Sequence, residues 1–121
     1  MRPKRDYDRI RTILQEASEV PSKYDDGLVE FGRQMKPGDE YQLYLMHDAG
    51  LIEGNGYKSG IFFITNQGHD FLDAIRDEGL WQKTKDTVSE TGGNATLEIV
   101  KALAIGFLKK KIAQHTDIDL G

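Results

Sequence analysis

Three histidines, His47, His69 and His115, are the residues of this chain best suited to metal or proton chemistry, and their spacing argues against both. A zinc site needs ligands at fixed offsets, as in H-E-x-x-H, or cysteine partners. The chain has no such pair and no cysteine. Ser59, His69 and Asp70 supply the residue types of a hydrolase triad. No nucleophile elbow surrounds Ser59, however, and adjacent His and Asp residues do not face one another on a helix. In GNGYKSG, residues Gly54, Gly56 and Gly60 lack the G-x-G-x-x-G spacing of a phosphate cradle and lie between two apolar runs instead of before a helix. A hairpin turn explains them. The expectation is a protein with no catalytic residues, no metal and no cofactor, working by binding.

Charge narrows what it can bind. The formal net charge of −4 is unevenly spread: residues 1–11 carry five basic and two acidic groups, and residues 12–50 carry three basic against eight acidic. Phosphate neutralisation supplies nearly all non-specific DNA affinity, so an acidic chain binds DNA only through a local basic face. Arg2, Lys4, Arg5, Arg9 and Arg11 form that face and are the expected phosphate contacts. Lys109, Lys110 and Lys111 read instead as a solvated helix end, where cations meet the negative pole of the macrodipole.

The elements that must position these residues follow from periodicity. At 121 residues the chain can bury a core without staples, and the lack of cysteine suits a reducing cytoplasm. No run reaches the ~18 apolar residues of a membrane span. Tyr7, Ile10, Ile13, Leu14 and Ala17 predict a first helix, with Asp6 as N-cap and Pro21 as stop. A short strand over Leu28 to Phe31 and a very abbreviated second helix follow, before the break at Pro37 and Gly38. A third helix runs from about Asp39 to Ala49, with Leu43, Met46 and Ala49 inward and Gly50 closing it. Its outward set comprises Tyr41, Gln42, Tyr44, Leu45 and Asp48.

LIEGNGYKSGIFFIT then reads as a two-stranded wing with Tyr57 and Lys58 at its tip. Thr65 caps a helix ending near Gly79. Leu80, Trp81, Thr84 and Val88 continue a helical period to Gly92, with Trp81 as a core plug, and a last helix spans about Thr96 to Ala113. The fold class expected is α+β and mostly helical: a winged helix-turn-helix over 1–79 with a C-terminal helical extension over 80–121.

KRDYDRIRTIL, YQLYLMHDAGLIEG and TNQGHDFLDAIRDEGLWQKTKD, followed by GG and LEIVKALAIGFLKKKI, resemble the small bacterial and prophage proteins of domain-of-unknown-function family 2513. The resemblance covers nearly the whole chain. It implies a winged-helix domain with a helical extension, in a mobile-element setting and without an assigned activity.

Two functions are therefore expected. The first is a phage or prophage-type DNA-binding regulator, whose recognition helix carries Tyr41, Gln42, Tyr44 and Leu45, with Gln42 reading bases alongside Tyr57 and Lys58 of the wing. The alternative is a protein-interaction module, an adaptor or an inhibitor of a host defence complex, using the apolar stripe of Tyr41, Tyr44 and Leu45. The helix between Asp39 and Gly50 holds no lysine or arginine, which favours the alternative. A homodimer is also expected, with Val100, Leu103 and Phe107 of the last helix at its interface. That helix has more apolar residues than one core-facing stripe needs, and Gly106 suits a close helix approach.

Overall fold

The computed structural model describes residues 4–22, 24, 26–92 and 95–116. The chain is a mostly helical α+β protein that divides into two compact units, Met1–Leu72 and Asp73–Gly121. Among the described residues no helix is long and apolar enough to cross a membrane.

The first unit opens with α1 (Tyr7–Glu19), where the Asp6 carboxylate accepts the Arg9 N–H at 2.9 Å and the stripe Ile10, Ile13, Leu14 and Ala17 is buried as its spacing predicts. Then come β1 (Leu28–Glu30), a 3-10 turn at Gly32–Gln34 where the abbreviated second helix was expected, and α2 (Asp39–Asp48). β2 (Ile52–Glu53) and β3 (Ile61–Ile64) flank a second 3-10 turn at Tyr57–Ser59. β3 is the central strand of an antiparallel sheet in the order β1-β3-β2. Val29 pairs with Phe62 and both face the core, which leaves Leu28 opposite Phe63 and Glu30 opposite Ile61 on the other face. The Phe31 and Phe62 rings pack at 6.5 Å between centroids.

Two glycines fix how α2 and the β2–β3 hairpin are joined. Gly50, at φ +76°, closes α2 in the left-handed region, while the Leu51 N–H returns to the Met46 carbonyl at 2.9 Å. Gly60, at φ +82°, passes so close to the 3-10 turn that a Cβ there would lie 2.7 Å from the Gly32 nitrogen. The Thr65 hydroxyl donates to the Gly50 carbonyl and accepts the Gly68 N–H, tying the end of α2 to the start of α3 (Asn66–Ile75).

α3 stops at Ile75 instead of running to Gly79. The reason is Asp77, whose carboxylate accepts the Leu80 N–H at 3.0 Å and starts a new helix, α4 (Glu78–Glu90). Leu80, Trp81, Thr84 and Val88 are its buried residues, and the buried Thr84 hydroxyl is satisfied by the Leu80 carbonyl at 2.8 Å. α5 (Leu97–Thr116) begins at Thr96, whose hydroxyl accepts the Ile99 N–H, and its stripe Leu97, Val100 and Ala104 is buried in the second unit, where α4 and α5 pack together. An ion pair between Lys111 and Asp77 links the end of α5 to the start of α4. It holds the Asp77 carboxyl below its ordinary value, helped by the Leu80 N–H.

The expected dimer interface is corrected on this point. Val100 is 1% exposed within a single chain, and Phe107 is half-buried with the Lys83 Nζ of α4 4.5 Å from its ring centroid, so these two serve the α4–α5 packing, while Leu103 between them is half-buried. Gly106 lies on the exposed side of α5, and among the described residues a Cβ there would meet nothing within 4 Å.

Candidate interaction site

α2 is held to the N-terminal segment by its polar residues. Asp39, 1% exposed at the start of α2, receives Arg9 from α1 through two parallel bonds, Nε to Oδ1 at 2.9 Å and Nη2 to Oδ2 at 2.8 Å. The Lys36 N–H adds a third at 2.8 Å. Burial alone would push the Asp39 carboxyl up, but the Arg9 guanidinium and the Lys36 N–H overcome it and hold the group below its ordinary value. The Arg9 guanidinium is raised in turn, chiefly by its hydrogen bond to Asp39.

Gln42 completes the clamp. Its Oε1 accepts the Asp6 N–H at 2.9 Å and its Nε2 donates to the Lys4 carbonyl at 2.7 Å. The expectation that Gln42 points outward to read bases is therefore corrected: it is 5% exposed and both ends of its amide are occupied by main chain. Arg9 is likewise corrected as a phosphate contact, because its guanidinium is spent on Asp39 and its side chain is only 17% exposed. One signal was present in the sequence. Asp39 and Gln42 continue the inward stripe of Leu43 and Met46 at helical spacing, so polar groups on that stripe had to be paired internally.

Of the remaining basic-arm residues, Arg2 lies outside the described residues. Lys4 and Arg5 are exposed, the latter 5.9 Å from the centroid of the Tyr7 ring, and Arg11 is half-buried.

The solvent side of α2 has a different character. Tyr41 and Tyr44 stack at 6.2 Å between centroids with their planes 29° apart, and Tyr44 remains 46% exposed. Leu45 is half-buried beside them. Gly38, Glu40, Tyr41, Tyr44 and Lys58 line an open pocket of about 390 Å³. Its far wall comes from the 3-10 turn, which is braced against α2 where Tyr57 stacks on His47 at 4.2 Å and 17°. Tyr57 and Lys58 of this turn and the tyrosines of α2 thus come together at one place, while Gln42 does not join them. The pocket is an aromatic floor with a carboxylate and an ammonium at its rim, chemistry suited to seating an apolar side chain between opposite charges.

The family model described as "Hypothetical protein (DUF2513)" matches residues 4–94. The chain belongs to that family. It is also similar to a Haemophilus influenzae protein, printed as "Uncharacterized protein", with 31% identity over 120 residues, covering 91% of this chain and 99% of the relative. No solved structure matches the chain. The matched region contains α1 to α4 and so includes the whole pocket.

Proposed function

We propose that this protein is a winged-helix interaction module of the adaptor type, and that its partner is a short amphipathic protein segment docking on the solvent side of α2. The observation that carries the reading is the Tyr41–Tyr44 stack flooring a pocket of about 390 Å³ with Glu40 and Lys58 at its rim. The partner inserts an apolar or aromatic side chain there, with a basic group meeting Glu40 and an acidic group meeting Lys58. Aromatic anchors in a small pocket with polar edges are where binding energy concentrates. The order of α1, the 3-10 turn, α2 and the β2–β3 hairpin supports the winged-helix reading, and the cysteine-free chain supports work in the cytoplasm.

Duplex DNA is the second reading, favoured by the exposed Lys4 and Arg5. It is the weaker of the two because α2 brings Glu40 and Asp48, and no cation of its own, toward a groove.

The test uses the immobilised full chain and lysate of its host. A protein retained by the wild type and lost, by about tenfold or more, from Tyr41→Ser/Tyr44→Ser supports the proposal, provided the circular-dichroism melt is unchanged and Lys4→Ala/Arg5→Ala retains the protein. Anisotropy titrations against duplex DNA at low salt supply the opposing outcome. Binding that weakens in Lys4→Ala/Arg5→Ala but not in the tyrosine variant overturns the proposal in favour of DNA.

A further inference from the structure

The face of α5 turned away from α4 has a composition that solvent alone does not call for. Ile99 is 49% exposed, and Ala102, Gly106 and Lys109 are exposed after it, on one side of the helix. Gly106 costs helix stability relative to alanine, and among the described residues nothing lies within 4 Å of where its Cβ would be, so none requires a glycine there. Ala102 and Gly106 are one turn apart and together form a shallow notch. A notch of small residues alone specifies nothing, so the decisive feature is the charge on either side of it.

Eleven residues make about three turns of helix, so Glu98 and Lys109 stand on the same flank of α5. Glu98 lies about 9 Å before the middle of the notch and Lys109 about 8 Å beyond it, at about 1.5 Å per residue. A two-fold axis through that middle, perpendicular to the helix, reverses the direction of α5 and keeps each flank on its own side. Glu98 of one copy then meets Lys109 of the other, and the pairing occurs twice. Ala102 crosses Gly106 of the second copy at the centre, and the stem of Lys110 covers Ile99. The Glu98 side chain is 61% exposed, and its carboxylate also receives the Nζ of Lys101 at 3.0 Å, from the side of the helix away from the notch.

We infer that this face docks a second copy of the chain, with the two α5 helices antiparallel and crossing at Ala102 and Gly106. The self-complementary charge singles out this occupant: any other helix would have to reproduce the same acid-before, base-after arrangement. The contact shares no residue with the pocket on α2.

Sedimentation equilibrium on the full chain at about 100 µM tests it, a concentration at which even a weak self-association is read. The wild type is expected as a dimer. Gly106→Leu is expected as a monomer with an undiminished melting temperature, because the added Cβ meets nothing within 4 Å among the described residues and leucine improves helix propensity. Glu98→Lys and Lys109→Glu should each weaken the dimer about tenfold, and the two combined in one chain should restore it. A wild type of monomer mass, a Gly106→Leu variant that still dimerises, or a charge-swapped double variant no tighter than its single parents each overturns the inference.

Discussion

Arg9 and Asp39 form a two-pronged ion pair, with N–O distances of 2.8 and 2.9 Å, that fastens α1 to the first residue of α2. Thirty positions separate them along the chain, so the pair fixes where α2 begins as well as how it is anchored. Removing the cation leaves a carboxylate that is 1% exposed. Arg9→Ala should cost about 3 kcal/mol, the range for breaking one side of a buried pair, read from urea unfolding monitored by circular dichroism.

The same pair makes the stability of the protein depend on pH, with a sign that the variant reverses. Asp39 titrates below its ordinary 3.8 in the folded chain, so its contribution is complete above that value and is lost as pH falls through the lower, folded one. Between pH 5 and 7 it adds no slope in the wild type. In Arg9→Ala the burial that already opposes the charge goes largely unanswered, the folded carboxyl binds its proton more tightly than the unfolded one, and stability rises on acidification from neutrality toward pH 5. Denaturant midpoints at several pH values check this. A variant whose midpoint runs parallel to the wild type contradicts it.

Gln42→Leu should release the N-terminal segment without melting the unit. The substitution removes the acceptor for the Asp6 N–H and the donor to the Lys4 carbonyl, both at exposed positions where water takes over. The stability loss is therefore modest, about 1 kcal/mol. Hydrogen exchange at the Asp6 amide should quicken sharply while amides in α2 keep their protection.

Gly68→Ala opposes two effects of known direction. Alanine is the better helix former by about 1 kcal/mol, yet its Cβ would collide with the Leu51 carbonyl oxygen and lie 2.8 Å from the Ile64 methyl. Backbone on one side leaves little room to give. The collision should win, with a net loss of about 2 kcal/mol in denaturant unfolding, and a melting temperature at or above wild type would show that α3 shifts to make room.

How much of this was legible in the sequence differs by the kind of signal. Apolar period found the buried face of α1 and that of α2, since Ile10, Ile13, Leu14, Leu43 and Met46 sit where their spacing places them. Turn chemistry found Gly50 and the Thr65 cap. Period counts only apolar residues, however, and so Gln42 was read as outward although it shares the stripe of Leu43 and Met46. What buries it is main chain at Lys4 and Asp6, a contact across more than thirty residues. The pocket was invisible for a similar reason: Tyr41 and Tyr44 were apparent as a pair, but the stacking of Tyr57 on His47 that brings Lys58 beside them depends on a 3-10 turn with no periodicity of its own. The capping role of Asp77 was available from residue type and was masked by the glycine two positions later.

The proportions of the small sheet bear on how the protein behaves when crowded. Ile61 and Phe63 of the central strand are 43% and 36% exposed, a surface that invites strand-to-strand assembly into fibrils if a template lies beside it. The outer strands deny that template. β1 offers three residues for an incoming chain to pair with and β2 only two, and each ends in a glutamate, Glu30 and Glu53. Short, charged borders of this kind resist the propagation of hydrogen bonding from molecule to molecule. The greasy strand is thereby kept from seeding amyloid, and lengthening β2 through its glycine turn is the change that would remove that protection.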